Sequence, residues 1–527
     1  MRFNGTNRLA RAPALRRPRR ADDRQVEPLE GRRLLAAMFF DGGGGSNLWN
    51  NPDNWSLHRL PTAQDDVSIG STFHVALSGQ AATVRTLSLD GTASLSVGTG
   101  LTIGMSSYAF GGTAFNLQPG GTLDGPGQLA VRGDLNWTGG TMQGEGRTLL
   151  ALGGRGNVSG PDAKALRRTL RVEEHLIVQD ADLQLRDGTL ELDPRAWMGL
   201  WRASILGDGG TNRFDNAGTI NPSTARIDVP LYHSGFADVT ELYLTGGGEA
   251  SGRFEMSGLG ILRVGGPGYT FGTGAPLFGW VGEARFEGGT STVADAVQIP
   301  TLTVTGAVVT MNNNVDVSGV TLVEAPTGVL NLAGAVSNLK TIQVETASRI
   351  NLVGNGANVL RTTYPGLQES TRLDVGREAV IFDYPPGYSS LDDVRSKIAS
   401  GYANGAWTGP GICSELAGST GRALGYGEAS ALFSQFPATF MGQAVDDTSI
   451  LVRYTRAGDA NLDGTVNLTD FNRLAGEFGA TAAYWTQGEF NYDRSVNLSD
   501  FNLLAANFGQ STSTAADDAD ETEALRA

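Results

Sequence analysis

The feature that most constrains this chain is its texture of very short alternating runs. From about Leu48 to Thr363, apolar and polar residues alternate over three to five positions, a Gly, Asn or Asp turn intervenes, and the alternation resumes. Thr86-Leu87-Ser88-Leu89, Ser94-Leu95-Ser96-Val97, Leu101-Thr102-Ile103, Leu183-Gln184-Leu185, Thr189-Leu190-Glu191-Leu192 and Arg349-Ile350-Asn351-Leu352 are examples. A period of two marks strands with one buried face. Strands this short are below the usual length in a freestanding sheet. Stacked coils resolve the problem, because each strand pairs with those above and below it. The corners of such a stack use Gly and Asn at positive φ, which accounts for 73 glycines in 527 residues, about twice the usual share. The expected class is mainly β: a right-handed parallel β-solenoid body, a small α/β segment, and a C-terminal α-helical unit. A set of β-sandwich domains is one alternative. A β-propeller is another, although no blade signature recurs. No strict repeat length can be read from the sequence.

Composition removes several classes. With one cysteine, Cys413, the chain can form no internal disulfide and no multi-thiolate zinc site. Cys413 itself is expected to be an inert small residue. No apolar run approaches the ~20 residues that span a bilayer, so no transmembrane segment is expected. Net charge is −15, yet residues 1 to 33 carry ten Arg against four acids, leaving −21 for the rest. An acidic body repels phosphate backbones, so nucleic acid is not an expected partner.

The body offers little catalytic chemistry. His58, His74, His175 and His233 are scattered without metal-ligand spacing, and no Gly-x-Ser-x-Gly turn raises the prospect of a serine nucleophile. Glycoside hydrolysis requires two converging carboxylates. Neighbours on one strand point to opposite faces, so Asp65-Asp66 and Glu173-Glu174 would diverge. Asp180 and Asp182 can share a face and are the best-placed pair, although a solvated strand face is the favoured explanation. Catalytic residues are therefore unassigned, and the expectation leans against an enzyme. If there is one, it is a polysaccharide hydrolase or lyase.

The start of the chain carries a basic arm followed by Leu34-Leu35-Ala36-Ala37-Met38-Phe39-Phe40, a minimal secretory-signal shape. A disordered basic arm is the plainer alternative. Val26-Glu27-Pro28-Leu29-Glu30-Gly31-Arg32-Arg33-Leu34-Leu35-Ala36 resembles the LEPR-XLL segment of planctomycete exported proteins, with Gly31 in place of the name-giving Pro. The resemblance implies export to the extracellular space or cell surface. The stretch Leu48-Trp49-Asn50-Asn51-Pro52-Asp53-Asn54-Trp55-Ser56 resembles the opening of secreted bacterial β-helix proteins. Trp49 and Trp55 then either seal the end of the solenoid or stack on sugars.

Past residue 365 the texture changes. Ala379 to Tyr384 reads as a buried strand and Ser390 to Ala399 as a helix, with Ser390 as N-cap and Gly401 as stop. The stretch Tyr426 to Phe433 also reads as helical, and Ser449 to Tyr454 as a strand. This unit is expected to end the solenoid and carry the C-terminal helical module.

The most specific motif is last. Asp459, Asn461, Asp463, Thr465, Asn467 and Asp470 occupy positions 1, 3, 5, 7, 9 and 12 of a calcium-type loop, with Gly464 at position 6. Thirty residues on, Glu489, Asn491, Asp493, Ser495, Asn497 and Asp500 repeat the pattern. Each loop leads into a helix, with Phe471, Leu474 and Phe478 in the first and Phe501, Leu504 and Phe508 in the second at helical spacing. Val466 at position 8 is expected to pack between paired loops. A duplicated loop–helix unit with Asp at position 12 is similar to the type I dockerin. That resemblance covers about Gly458 to Gln510. It implies Ca2+ as the bound ion and a cohesin-like or other cell-surface protein as partner. In the second loop Glu489 and Arg494 stand where the family has Asp and Gly, so the first loop is expected to bind more tightly. At the partner-selecting positions stand Leu468-Thr469 and Leu498-Ser499. The leucines depart from the small hydroxyl residues of dockerins with known cohesins, and packing within the module is their alternative role.

The expected organisation is therefore an export segment over 1–40, a solenoid with a Trp-containing cap over 41–365, a mixed segment over 366–456, a dockerin over 457–510 and a disordered acidic tail over 511–527. The expected role is an exported structural or adhesive protein docked through its calcium module. A dockerin-bearing polysaccharide-degrading enzyme and a non-catalytic carbohydrate-binding protein are the alternatives, both with a polysaccharide as partner.

Overall fold

The computed structural model describes residues 37–512 apart from 279–281, 325–326 and 419–420. The LEPR-XLL-like segment and nearly all of the acidic tail lie outside the described residues. The body is a parallel β-solenoid of about 16 turns. Among the described residues, a narrow sheet of 18 strands runs its length, and a wide sheet of 25 strands forms the rest of the wall.

Strands of the narrow sheet pair in parallel, one coil on the next. One outward row begins Ser68, Ser88, Tyr108, Ala130 and ends Asn331, Asn351, Asp374. Successive members of that row lie 17 to 24 residues apart. This variation explains why no fixed repeat length shows in the sequence. In the early coils the wide sheet receives two short strands per turn, such as His74–Leu77 and Ala82–Val84. From Trp197–Gly207 onward they merge into one bent strand. The bend falls at residues in the left-handed region, Arg202 (φ 48°) in that strand and Thr224 (φ 56°) in the next. Alternate residues point inward, as in the buried Leu87, Leu89, Leu95 and Val97, and fill one continuous apolar core.

The N-terminal end is closed by aromatics. Trp49 and Trp55 are buried in a T-shaped pair 4.8 Å apart, and Trp55 Nε1 donates to the Trp49 carbonyl at 2.8 Å. They form the seal; with no exposed face, neither offers a sugar platform. The strand Ala37–Phe39 pairs in parallel with Asp66–Ser68, and Met38 and Phe40 are buried. Part of the apolar run read as an export signal is thus the first strand of the fold.

At the other end the parallel ladder runs past residue 365. Arg372–Asp374 stacks on Arg349–Asn351, Gly411–Cys413 stacks on Arg372–Asp374, and Ala379–Asp383 on Val359–Thr362. The ladder ends where Ser449–Arg456 pairs antiparallel with both Ala379–Asp383 and Arg422–Glu428. The stretch read as a helix near Tyr426 is mostly this strand, with only Ala429–Leu432 helical. Helix Leu391–Tyr402 continues through Gly401 and ends at Ala403 in the left-handed region. Gly401 is needed for another reason. A Cβ there would stand 2.0 Å from the Ile412 carbonyl oxygen.

Candidate metal centre

Beyond the solenoid, two loops are followed by helices Leu468–Gly476 and Leu498–Asn507. Both helices start two residues earlier than Asp470 and Asp500. Each is opened by a capping box: Asn467 or Asn497 caps the helix, and the Asp at its third position reaches back. Leu474 and Leu504 are buried, whereas Phe478 and Phe508 are more than half exposed, so the apolar stripe is only partly covered.

The two loops share most of their hydrogen bonds, but the position-6 N–H reaches the position-1 carboxylate only in the first. Asp459 Oδ1 accepts from the Asp463 N–H at 3.2 Å, and Asp459 Oδ2 from the Gly464 N–H at 2.9 Å. Asn461 Oδ1 accepts from the Asp463 N–H, and Asp463 Oδ1 from the Thr465 N–H. Asp470 accepts from the Ala460, Asn461 and Asn467 N–H groups. In the second loop Glu489 Oε1 accepts from the Asn491 and Asp493 N–H groups, Asp493 Oδ1 from Ser495, and Asp500 from Phe490 and Asn497. These bonds hold the side-chain oxygens of both loops inward in turns that would be unstable for apolar residues.

The electrostatics leave both loops short of positive charge. Burial, with Asp470 and Asp463 nearby, pushes the Asp459 carboxyl up to about 6. Burial, with Asp500 and Asp493, pushes Glu489 up to about 7. Asp470 and Asp500 are raised for the same reason. Glu489 Oε2 is fully buried and has no hydrogen-bond partner. An orphaned buried carboxylate oxygen is costly unless something binds it. The donors, carboxylates with amide and carbonyl oxygens, suit a hard oxygen-preferring cation. In the first loop Asp459, Asn461, Asp463, Asn467, Asp470 and the Thr465 carbonyl could hold it. In the second, Glu489, Asn491, Asp493, Asn497, Asp500 and the Ser495 carbonyl could. Among the described residues, no group of three or more His, Cys, Asp or Glu is gathered into a metal site; amide and carbonyl oxygens must share the task.

The structure adds residues that the loop pattern did not reveal. The position-4 residues Leu462 and Tyr492 are buried. Tyr492 Oη donates to the Leu424 carbonyl and accepts from the Leu424 N–H, at 3.0 and 3.2 Å. Trp485 Nε1 donates to the Asp459 carbonyl, Thr455 Oγ1 to Asp459 Oδ2, and Arg453 Nη1 to the Leu462 carbonyl. Tyr402, Trp407, Trp485 and Tyr492 pack with ring centroids 4.8 to 5.7 Å apart. Both loops are therefore fastened to the antiparallel strand pair that ends the solenoid. The signal was a large apolar or aromatic residue at position 4 of each loop, Leu462 and Tyr492. Val466 and Val496 are buried, but their backbone bonds go to Gly509 and Gln510, and to Gly479 and Ala480, not to each other. Leu468 and Leu498 are 61% and 62% exposed and do not pack within the module.

Candidates elsewhere are occupied. Asp180 accepts from Arg202 Nε and Nη2 at 2.6 and 2.9 Å, which holds its carboxyl below the usual range and unsuited to general-acid work. Asp65 is paired with Arg59 and Asp66 with Arg85. Glu173 and Glu174 accept from the Leu152 and Gly153 N–H groups. His233 Nε2 faces the Arg253 carbonyl and its Nδ1 faces Asn216 Nδ2; both nitrogens are engaged and burial pulls its pKa down to about 4. Cys413 is buried, and burial beside Asp374 pushes its thiol up to about 12. No protein-family model matches the chain, and no curated protein or solved structure is significantly similar to it.

Proposed function

We propose that this chain is an exported structural or adhesive protein of the cell surface or extracellular space. Its solenoid is a passive rod, and its C-terminal unit is a type I dockerin-like module that binds calcium and docks a protein partner. The observation that carries this reading is the second loop's buried, unpartnered Glu489 Oε2 within a loop geometry repeated thirty residues apart. The exposed Leu468 and Leu498, each opening a helix, support a partner face related by the internal repeat. Export rests on the LEPR-XLL-like segment.

Calorimetry on chelator-stripped full-length protein tests the calcium part. Two binding events are expected, and Asp470→Ala and Asp500→Ala should each remove one. Absence of binding would end this reading. A pull-down from cell-surface extracts, with calcium and with chelator, tests the docking part. Partners recovered equally in both would refute calcium-dependent docking.

A further inference from the structure

Both loops have a guanidinium beside position 6, but it reaches them by different routes. In the second loop it belongs to the loop itself, as Arg494, and that side chain is exposed. In the first loop position 6 is Gly464, and the space left by its missing side chain is filled from outside. A Cβ there would stand 2.7 Å from Thr512 Oγ1 and 2.9 Å from Arg453 Nη2. Arg453 belongs to Ser449–Arg456, the strand that ends the solenoid. Its Nη1 donates to the Leu462 carbonyl, inside the first loop, at 2.8 Å. The side chain is partly buried, and Asp459 and Asp463 are the carboxylates that act on its charge. Water screens the exposed Arg494, whereas a partly buried charge acts through a medium of lower dielectric. A cation entering the first loop therefore meets the stronger opposing field.

The position-1 carboxylates differ in the same direction. Asp459 Oδ2 accepts from the Gly464 N–H and from Thr455 Oγ1, and Asp459 Oδ1 accepts from the Asp463 N–H. A carboxylate oxygen offers about two acceptor positions, so Oδ2 is filled and Oδ1 is half used. In the second loop Glu489 Oε1 takes the N–H groups of both Asn491 and Asp493. Glu489 Oε2 is left fully buried with no partner. The second loop thus keeps one carboxylate oxygen entirely free for a ligand, and desolvation of that oxygen has already been met in the folded chain.

We propose that the second loop takes calcium first, and that Arg453, reaching in from the last strand of the solenoid, holds the first loop at lower affinity. This rests on the calcium reading of the loops given above. It reverses the order that the loop sequences alone predict. The unit then loads in two steps, and the loop fastened to Ser449–Arg456 is the one that responds to the higher calcium level.

The test uses chelator-stripped full-length protein and calcium alone. At one equivalent of calcium, hydrogen exchange should show added protection over residues 489–500, and over 459–470 only in excess. In calorimetry the tighter of the two events should vanish in Asp500→Ala and the weaker in Asp470→Ala. Arg453→Gln should tighten the weaker event about fivefold or more, the scale of removing one nearby charge, and leave the tighter event unchanged. Arg453→Lys keeps the charge and should keep the parent order, which a purely structural role for the guanidinium would not require. The one-equivalent measurement is made on the unaltered chain, so it decides the order even where a variant fails to fold. Protection that appears first over 459–470, or equally over both loops, overturns the order while calcium binding stands. A folded Arg453→Gln chain whose weaker event is unchanged overturns the role of Arg453. No heat and no protection at either loop removes the calcium reading and the order with it.

Discussion

At the scale of single residues, the two loops differ at position 1, Asp459 against Glu489, and in charge at position 6. Gly464 and Arg494 both lie in the left-handed region, at φ 89° and 73°, where a side chain costs about 1 kcal/mol or more. Arg494 is exposed, so its side chain does not crowd the loop interior, but its charge still opposes a cation. Arg494→Gly is expected to tighten binding at the second loop about two- to fivefold, the value of ~0.5–1 kcal/mol of relieved repulsion. Calorimetry showing unchanged or weaker binding there would contradict this. Counting loop residues alone also favours the first loop, but Arg453 complicates that order. Its Nη2 lies 2.9 Å from where a Cβ on Gly464 would stand. A strand neighbour of this kind is invisible to a twelve-residue pattern, whereas the loop turns themselves were legible because Asx turns impose their spacing locally. Asp65 gives a second residue-level prediction. Arg59 donates to both of its oxygens and Thr62 adds two more bonds, holding its carboxyl at about 2. A folded pKa below the unfolded ~3.8 means stability that is present above pH ~4 and lost as pH falls toward 2. The full effect is about 2 kcal/mol. Between pH 5 and pH 2.5, Asp65→Asn should therefore lose less melting temperature than the parent chain; equal losses would remove Asp65 from the account.

At the scale of elements, the strands were legible and their spacing was not. Thr86-Leu87-Ser88-Leu89 announces its buried face by alternation alone, and the structure buries Leu87 and Leu89. The coil length varies because corners absorb extra residues while the narrow sheet keeps its register, and the wide sheet shifts register at Val239/Glu241, Ile299/Thr301 and Val317/Val320, so no period accumulates. Long strands such as Trp197–Gly207 hid because their bend sits on Arg202, not on a glycine. The apolar run at the start has two readings for a different reason. A short buried strand and a short signal core have the same composition, and only the pairing of Ala37–Phe39 with Asp66–Ser68 separates them. If a leader is removed, the cut must therefore fall before Ala37. A chain beginning at Asp41 would lose Met38 and Phe40 from the core and uncover Trp55, which touches Phe40 at 5.1 Å between ring centroids. Deleting such buried side chains costs about 2–5 kcal/mol each. The expected result is fraying of the first coil, read as red-shifted tryptophan emission, with native emission kept by a chain beginning at Ala36. A mature N-terminus mapped beyond Phe40 on exported protein would contradict this assignment.

At the scale of the whole molecule, the solenoid and the loop unit are one structure. A solenoid has an exposed last coil whose core and strand edge must be covered. Here Ala379–Asp383 is covered by Ser449–Arg456, and that strand carries Arg453 and Thr455, which hold the first loop. The partner strand Arg422–Glu428 is tied to the second loop through Leu424 and Tyr492. Any cation in the loops would therefore stabilise the end of the rod as well as the loops themselves. At about a thousand times Kd the linkage is worth about 4 kcal/mol. If the two parts were merely tethered, that stabilisation would stop at residue 457. Because they are fused, hydrogen exchange of calcium-loaded protein against chelated protein should show added protection in Arg422–Glu428 and Ser449–Arg456, fading over the coils before Arg372–Asp374. Tyr492→Phe should keep calcium binding while reducing the protection gained in Arg422–Glu428, since it removes the hydroxyl that bridges Leu424 and leaves the loop oxygens in place. Protection confined to the loops and their helices, or equal protection of the strands in the Tyr492→Phe chain, would mean that the cation acts on the loop unit alone.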